Sequence, residues 1–237
     1  MTIPAISIWG VRIEGEFAKG DKVADRIFTA CTDAGLELAD DDVVVVTHKI
    51  VSKAEGRVAE MPEGDWEARD ALIAAEGATF LRRNGSIAIT KTRHGFVCAS
   101  AGIDASNVEP GKVTLLPLDP DRSARSIRSR LKRLAGVDVA VVVSDTFGRA
   151  WRIGQTNVAI GVAGMLPTVN YRDTADSFGT VLKVTNLAIA DELAGAAEMV
   201  MGKAEGVPVA VVRGAPISRG RGSAKDLVRP AHEDLFL

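Results

Sequence analysis

A chain of 237 residues is long enough to hide about 70% of its unfolded surface, so its stability does not call for disulfides. With 46% hydrophobic and 25% charged residues and 23 glycines it is globular rather than disordered, and its 5% aromatic share points to cores of Val, Ile, Leu and Ala. A net charge of −2 argues against a general nucleic-acid binder, while local basic clusters could still hold an anionic small molecule.

The opening Ile6, Ile8 and Trp9 are apolar, and Gly20-Asp21 breaks the chain. Val23, Ile27, Phe28, Cys31 and Ala34 then form one helical stripe that stops at Gly35. Val43 to Thr47 reads as a strand buried on both faces, because its β-branched run does not alternate with polar residues. A polar segment, Lys53 to Arg57, follows it, and Trp66 to Leu81 is expected to be helical. Gly85 to Thr90 and Gly95 to Ser100 read as strands joined by the turn Lys91-Thr92-Arg93-His94. Asn107 to Gly111 is a turn, Val113 to Leu116 a short strand and Asp121 to Leu134 a basic helix. Val139 to Val143 repeats the buried-strand signature and leads directly to Asp145. Residues 153–169 are apolar and punctuated by glycine, Asp191 to Met201 is an Ala-rich helix, Val207 to Val212 is a third apolar strand, and Ser218 to Ser223 is a turn cluster. The hairpin breaks a strict strand–helix alternation, so mixed sheets are expected rather than a doubly wound parallel one.

The first ten residues lack a basic region followed by a long apolar run, and no stretch approaches the ~18 apolar residues of a membrane span. A cytoplasmic protein without membrane or nucleic-acid partners is the expectation. Cys31 and Cys98 stand far apart without CxxC spacing and read as buried free thiols. His48, His94 and His232 show no ligand spacing. The GxxxxGK[ST] phosphate loop is absent, and Gly220-Arg221-Gly222-Ser223-Ala224-Lys225 lacks the third glycine of a dinucleotide fingerprint.

Four segments could carry chemistry. Thr47 to Arg57 ends a buried strand in hydroxyls and cations, of which Lys49, Lys53 and Arg57 could neutralise phosphates, although a solvated charged loop explains the composition equally well. Gly102-Ile103-Asp104-Ala105-Ser106-Asn107 puts a carboxylate, a hydroxyl and an amide in one turn, as a Mg²⁺ or Mn²⁺ half-site or as plain turn chemistry. Ser144-Asp145-Thr146-Phe147-Gly148-Arg149, where a strand gives way to a loop, sets a carboxylate beside Arg149 and Arg152, a grouping suited to phosphoryl transfer or to a simple Asp–Arg pair. Met201-Gly202-Lys203-Ala204-Glu205-Gly206-Val207-Pro208 joins a helix end to a strand, and a Gly202 C-cap accounts for much of it.

Together these segments resemble the coenzyme F420-0 gamma-glutamyl ligase family. The likeness runs through Val44 to Thr47 and Ser52 to Arg57, Ala101 to Val108, Leu116 to Asp121, Ser144-Asp145-Thr146 with Gly148-Arg149, Trp151-Arg152, Gly154-Gln155-Thr156, Val184-Thr185, Ala190 to Leu193, Pro208 to Gly214 and Leu227 to Pro230. The resemblance implies an α+β fold of mixed α/β character with mixed and antiparallel sheets, an intertwined homodimer, and one ligase domain over residues 1–237. Because the sequence stops after Phe236-Leu237, the flavin-binding reductase domain that follows the ligase in the two-domain relatives is not expected, nor is a flavin. The implied reaction is GTP-dependent. The lactyl carboxylate of F420-0 becomes an acyl phosphate, which the amine of L-glutamate then attacks. Carried over by position, Asp104 and Asp145 match metal ligands, Thr146 a contact to a second Mg²⁺ or Mn²⁺, and Asn107 a nucleotide contact. K⁺ is a further candidate ion. His48, Lys49, Lys53, Glu14 to Phe17 and the 201–208 segment with Gly202 and Lys203 fall at nucleotide-binding positions, and Asp104, Asp145 and Arg149 are the expected catalytic set. A non-catalytic nucleotide or deazaflavin binder, and a ligase with another acyl acceptor, stay open as other readings.

Overall fold

A computed structural model describes residues 5–235. In chain order its first elements are β1 (Ser7–Val11), α1 (Val23–Asp33), β2 (Val43–Thr47), α2 (His48–Ala54), β3 (Val58–Glu60), α3 (Trp66–Ala75), β4 (Thr79–Asn84), β5 (Ile87–Lys91) and β6 (Val97–Ala99). There follow β7 (Lys112–Thr114), α4 (Pro120–Ala135), β8 (Ala140–Arg149), β9 (Arg152–Ala163), β10 (Val169–Asn170), β11 (Asn186–Leu187), α5 (Ile189–Met201) and β12 (Val209–Arg213).

The main sheet has five strands in the order β1-β12-β2-β8-β9, with β2 and β8 parallel and the other pairs antiparallel. Successive side chains of a strand point to opposite faces, and Val43 to Val46 are all wholly buried, so both faces of the sheet are covered. Helix α5 packs along the strands, while α4 packs on β8 and β9 and is flanked by α1. Smaller sheets, β4-β5-β6, β3-β7 and β10-β11, complete an α+β architecture with mixed and antiparallel sheets, as expected. Among the described residues no helix is long and apolar enough to cross a membrane.

Three local expectations are corrected. The helix expected over 66–81 ends at Ala75. Gly77 turns the backbone at φ +68°, and the residues from Thr79 pair with β5 instead, since tertiary pairing outweighs helical propensity in a short segment. The segment after β2 is helix rather than polar loop, because Ile50 and Val51 give α2 a buried face. Asp145 lies inside β8, which does not end at Val143 but continues to Arg149 by pairing with β9.

Cys31 and Cys98 are buried and unbridged. Burial pushes the first thiol up to about 11 and the second to about 12, which keeps both unreactive at neutral pH.

One carboxylate ties three parts of the core together. Asp121, in the first turn of α4, is itself buried and accepts hydrogen bonds from the amides of Val162 in β9 (2.8 Å) and Ala224 (3.0 Å) and from the Ser223 hydroxyl. The contact is close enough that a methyl group on Gly161 would meet the Pro120 carbonyl oxygen at 2.4 Å. Asp121→Ala would leave two buried amides without acceptors and is expected to cost about 3 kcal/mol, with Asp121→Asn costing less because one oxygen is retained. Urea titration checks this: the midpoint should fall with the slope unchanged, and an unaltered midpoint in the Ala variant would refute the assignment.

Candidate functional site

The site is set by the last pairing of the parallel strands. Thr47 stands opposite Ser144, so the next residues, His48 and Asp145, emerge side by side. A register shift between Val143 and Ser144 re-aims β8 at this point. His48 opens α2 and is wholly buried. Its Nε2 lies 3.2 Å from Asp145 Oδ1, but out of line for a hydrogen bond, and its Nδ1 is 3.3 Å from Ser52 Oγ one turn further on. The imidazole therefore backs the carboxylate from the protein side. Asp145 Oδ1 also accepts the Thr146 amide at 2.6 Å.

Helix α2 then carries Lys49 and Lys53 on one face, since residues four apart are neighbours on a helix. The Lys49 ammonium lies 3.0 Å from Asp104 Oδ2 and donates to the Ser106 hydroxyl. Lys53 pairs with Glu16 Oε2 at 2.6 Å. Arg26 fixes the segment bearing Glu16 by donating to the carbonyls of Glu14 (2.6 Å), Gly15 (2.9 Å) and Glu16 (2.8 Å), while its guanidinium lies over the Phe17 ring.

Asp104 belongs to the margin of the small β3-β7 sheet. Its amide and carbonyl both bond to Thr114, at 3.0 and 2.8 Å, and its Oδ1 accepts the Ser106 amide at 2.6 Å. Partial burial alone would raise this carboxyl, but the hydrogen bonds from Ser106 and the Lys49 ammonium together outweigh it and hold Asp104 below the usual carboxylate range. Asn107, with φ +55°, closes the turn and donates to the Lys203 carbonyl at 3.4 Å.

A polar cluster forms the remaining wall. Thr146 Oγ1 donates to Asn157 Oδ1 at 2.7 Å across the β8–β9 pair, and Asn157 Nδ2 donates to Glu198 Oε2 of α5 at 2.7 Å. The Lys203 ammonium reaches the same cluster, 2.7 Å from Thr146 Oγ1 and 2.5 Å from Glu198 Oε1. Gly202 makes that approach possible at φ +60°, where a Cβ would collide with the Glu205 carboxylate.

These groups surround a cavity of about 220 Å³ lined by Glu16, Lys49, Lys53, Asn107, Asp145, Thr146, Gly202 and Lys203, among others. A neighbouring cavity of about 850 Å³ shares Glu16, Phe17, Lys53 and Asn107 with it and extends past Lys19 to Val58 and Lys112. Asp104 adjoins the first cavity through Lys49. Two expected residues stand elsewhere. His48 lies behind Asp145 rather than in the wall, because the first turn of α2 directs it into the core. Arg149 sits at the exposed β8–β9 tip and donates to the carbonyls of Ile153 (2.7 Å) and Gly154 (3.4 Å). The strand separates Arg149 from Asp145 by about 13 Å, so the structure does not bring the two together. Asn157 and Glu198 were not singled out from sequence. For Asn157 the available signal was the polar stretch Gln155-Thr156-Asn157 interrupting an otherwise apolar strand.

The F420-0:gamma-glutamyl ligase family model matches residues 11–214, and the chain belongs to this family. It is 41% identical over 253 residues to the coenzyme F420:L-glutamate ligase of Methanothermobacter thermautotrophicus, covering 100% of this chain and 99% of the relative. The protein of the same name from Methanocaldococcus jannaschii is 39% identical over 214 residues, covering 84% and 86% of the two chains, and that of Methanopyrus kandleri 38% over 253 residues, covering 99% and 98%.

The donors at Asp104 and Asp145 suit a divalent ion, since Mg²⁺ and Mn²⁺ prefer carboxylate oxygens. Among the described residues no three acidic, His or Cys side chains converge. A divalent ion at these carboxylates would therefore need phosphate or water oxygens to complete its coordination.

Because the folded state depresses the Asp104 carboxyl below its ordinary value of 3.8, ionised Asp104 favours the fold. That contribution is complete above the unfolded value and is lost as pH falls through the lower folded one. Carboxyl ¹³C titration should give Asp104 a midpoint under 3.8, moving upward in Lys49→Met. A wild-type midpoint at or above 3.8 would contradict the geometry.

Proposed function

We propose that the chain joins L-glutamate to coenzyme F420-0 through an amide bond, at the expense of GTP. The observation that carries this is one cavity at the ends of β2 and β8 that gathers Asp145, Thr146, Lys49 and Lys53, in a chain alike over its whole length to a coenzyme F420:L-glutamate ligase. In this reading the triphosphate lies against Lys49 and Lys53, whose ammonium groups exchange their present carboxylate partners for phosphate oxygens. Asn107 and the 201–208 loop flank the nucleotide. The larger adjoining cavity, which meets the first at Lys53 and Asn107, receives F420-0.

One or more Mg²⁺ or Mn²⁺ ions held by Asp104 and Asp145 would neutralise phosphate charge, and K⁺ is a further candidate. The lactyl carboxylate oxygen of F420-0 bonds to the γ-phosphorus as the bond from that phosphorus to the β–γ bridging oxygen breaks, releasing GDP. The glutamate amine then bonds to the acyl carbon, phosphate departs with the electrons of the C–O bond, and the nitrogen loses a proton. The chain's part is to hold the two reactants in line and shield their charges from each other. His48 keeps Asp145 in place from behind.

The working form in this reading is a cytoplasmic homodimer. The β8–β9 tip and the segment between β10 and β11 expose Ile153, Phe178 and Val184, apolar side chains that a second subunit would cover in this reading.

Purified protein given F420-0, GTP, L-glutamate and Mn²⁺ or Mg²⁺ should yield GDP and a product heavier by one glutamyl residue, detected by mass spectrometry. Absence of both products with either metal would end the proposal. Asp145→Asn should lower turnover by at least about 100-fold while preserving the circular dichroism spectrum. For His48→Gln, which removes the imidazole behind that carboxylate together with its contact to Ser52, the expected loss of metal affinity is about 10- to 100-fold, and unchanged affinity would remove His48 from its positioning role.

A further inference from the structure

The cluster around Lys203 has the composition of a cation site, and a cation from the chain already fills it. Thr146 Oγ1, Asn157 Oδ1 and Glu198 Oε1 are a hydroxyl, an amide carbonyl and a carboxylate oxygen, the kinds of donor a hard metal ion takes. The Lys203 Nζ approaches all three, at 2.7, 3.4 and 2.5 Å. An ammonium has three N–H donors, so this one is matched to its surroundings. The cage oxygens are also held independently of the lysine, because Asn157 bonds to both Thr146 and Glu198. Gly202 supplies the backbone turn that sends Lys203 inward, and Asn107 holds the Lys203 carbonyl from the opposite side of the cavity. A divalent ion bound to Thr146 would sit about 2.1 Å from its oxygen, in the space the ammonium occupies. With the ammonium in that position there is no room for a second metal at Thr146.

We propose that the Lys203 ammonium is a tethered cation that takes the place of a divalent ion in the Thr146–Asn157–Glu198 cage, so that each site binds one metal ion fewer than its oxygen donors would otherwise accept. The ammonium brings a single fixed charge that requires no metal from solution. In the setting of the proposed function, on which the use of a nucleotide probe rests, it would meet the phosphates in the cavity it lines with Lys49 and Lys53.

The test is a count of Mn²⁺ bound per chain, followed by the loss of the free Mn²⁺ electron paramagnetic resonance signal, with the non-hydrolysable analogue guanosine 5′-[β,γ-imido]triphosphate present. The comparison is between the wild-type protein and the variants Lys203→Met and Lys203→Gln. The Lys203 side chain is 57% exposed, and melting curves will show whether both variants keep the fold. The proposal expects each variant to bind one more Mn²⁺ than wild type, and expects Thr146→Val in the Lys203→Met background to remove the added ion. Equal counts in wild type and variants would overturn it, as would an added ion that survives Thr146→Val. The wild-type count tests a separate matter. Zero Mn²⁺ would tell against the Asp104 and Asp145 assignment, while the difference between variant and wild type would still decide the role of Lys203.

Discussion

Asp145, Thr146, Lys49 and Lys53, the polar centre of the cavity, are positioned by the parallel pairing of β2 with β8. Two valine strands, buried on both faces, have almost no freedom to slip, because a one-residue shift would exchange every side chain between faces and break the fit to the helices on either side. That register places Thr47 opposite Ser144 and brings the following His48 and Asp145 together. The chains then diverge. After Thr47 the backbone coils into α2, which turns Lys49 and Lys53 toward the cavity. After Ser144 it continues as strand, paired with β9, and carries Thr146 to Asn157.

The electrostatics follow from this geometry. Each lysine at the cavity has a carboxylate partner: Lys49 with Asp104, Lys53 with Glu16, and Lys203 with Glu198. Cations that are partly buried require such partners, because an unpaired charge away from water is costly. The same pairing leaves the cavity close to neutral without being apolar. A polyanion entering it would compete with the carboxylates for the ammonium groups, and a divalent ion at Asp104 and Asp145 would accept the carboxylates so released. Phosphate and metal therefore suit this cavity better together than either does alone.

Much of the scaffold was legible in the sequence, and the reason is local. Val43 to Val46 and Val139 to Val143 announce buried strands through unbroken β-branched runs, and the stripe from Val23 to Cys31 has a helical period that needs no partner to be recognised. Lys49, Lys53, Asp104, Asn107, Asp145 and Thr146 were also within reach, because each stands close to the end of one of these runs or in a marked turn. The features that escaped depend on partners distant in sequence. Strand β4 exists because β5 pairs with it, α2 because Ile50 and Val51 find the core, and the continuation of β8 past Asp145 because β9 returns alongside it. His48 looks like a surface ligand in a string of lysines and hydroxyls. Only the parallel register shows that it faces inward. Arg149 shows the opposite error: proximity to Asp145 in sequence is not proximity in space when the intervening backbone is extended.

The two aspartates that motivated the functional reading are held by different means. Asp145 is part of the main sheet, with the imidazole of His48 behind it and the Thr146 amide on its own carboxylate. Asp104 hangs from the edge of the β3-β7 sheet by its two backbone bonds to Thr114 and reaches the rest of the site through Lys49, while Asn107 ties the same loop to the Lys203 carbonyl. The alignment of the two carboxylates thus rests on side-chain links rather than on one continuous strand. Under the proposed function, a Lys49 that turned from Asp104 to a phosphate would give up one of those links. The lysine that would receive the phosphate is thus also the one that joins the two halves of the site.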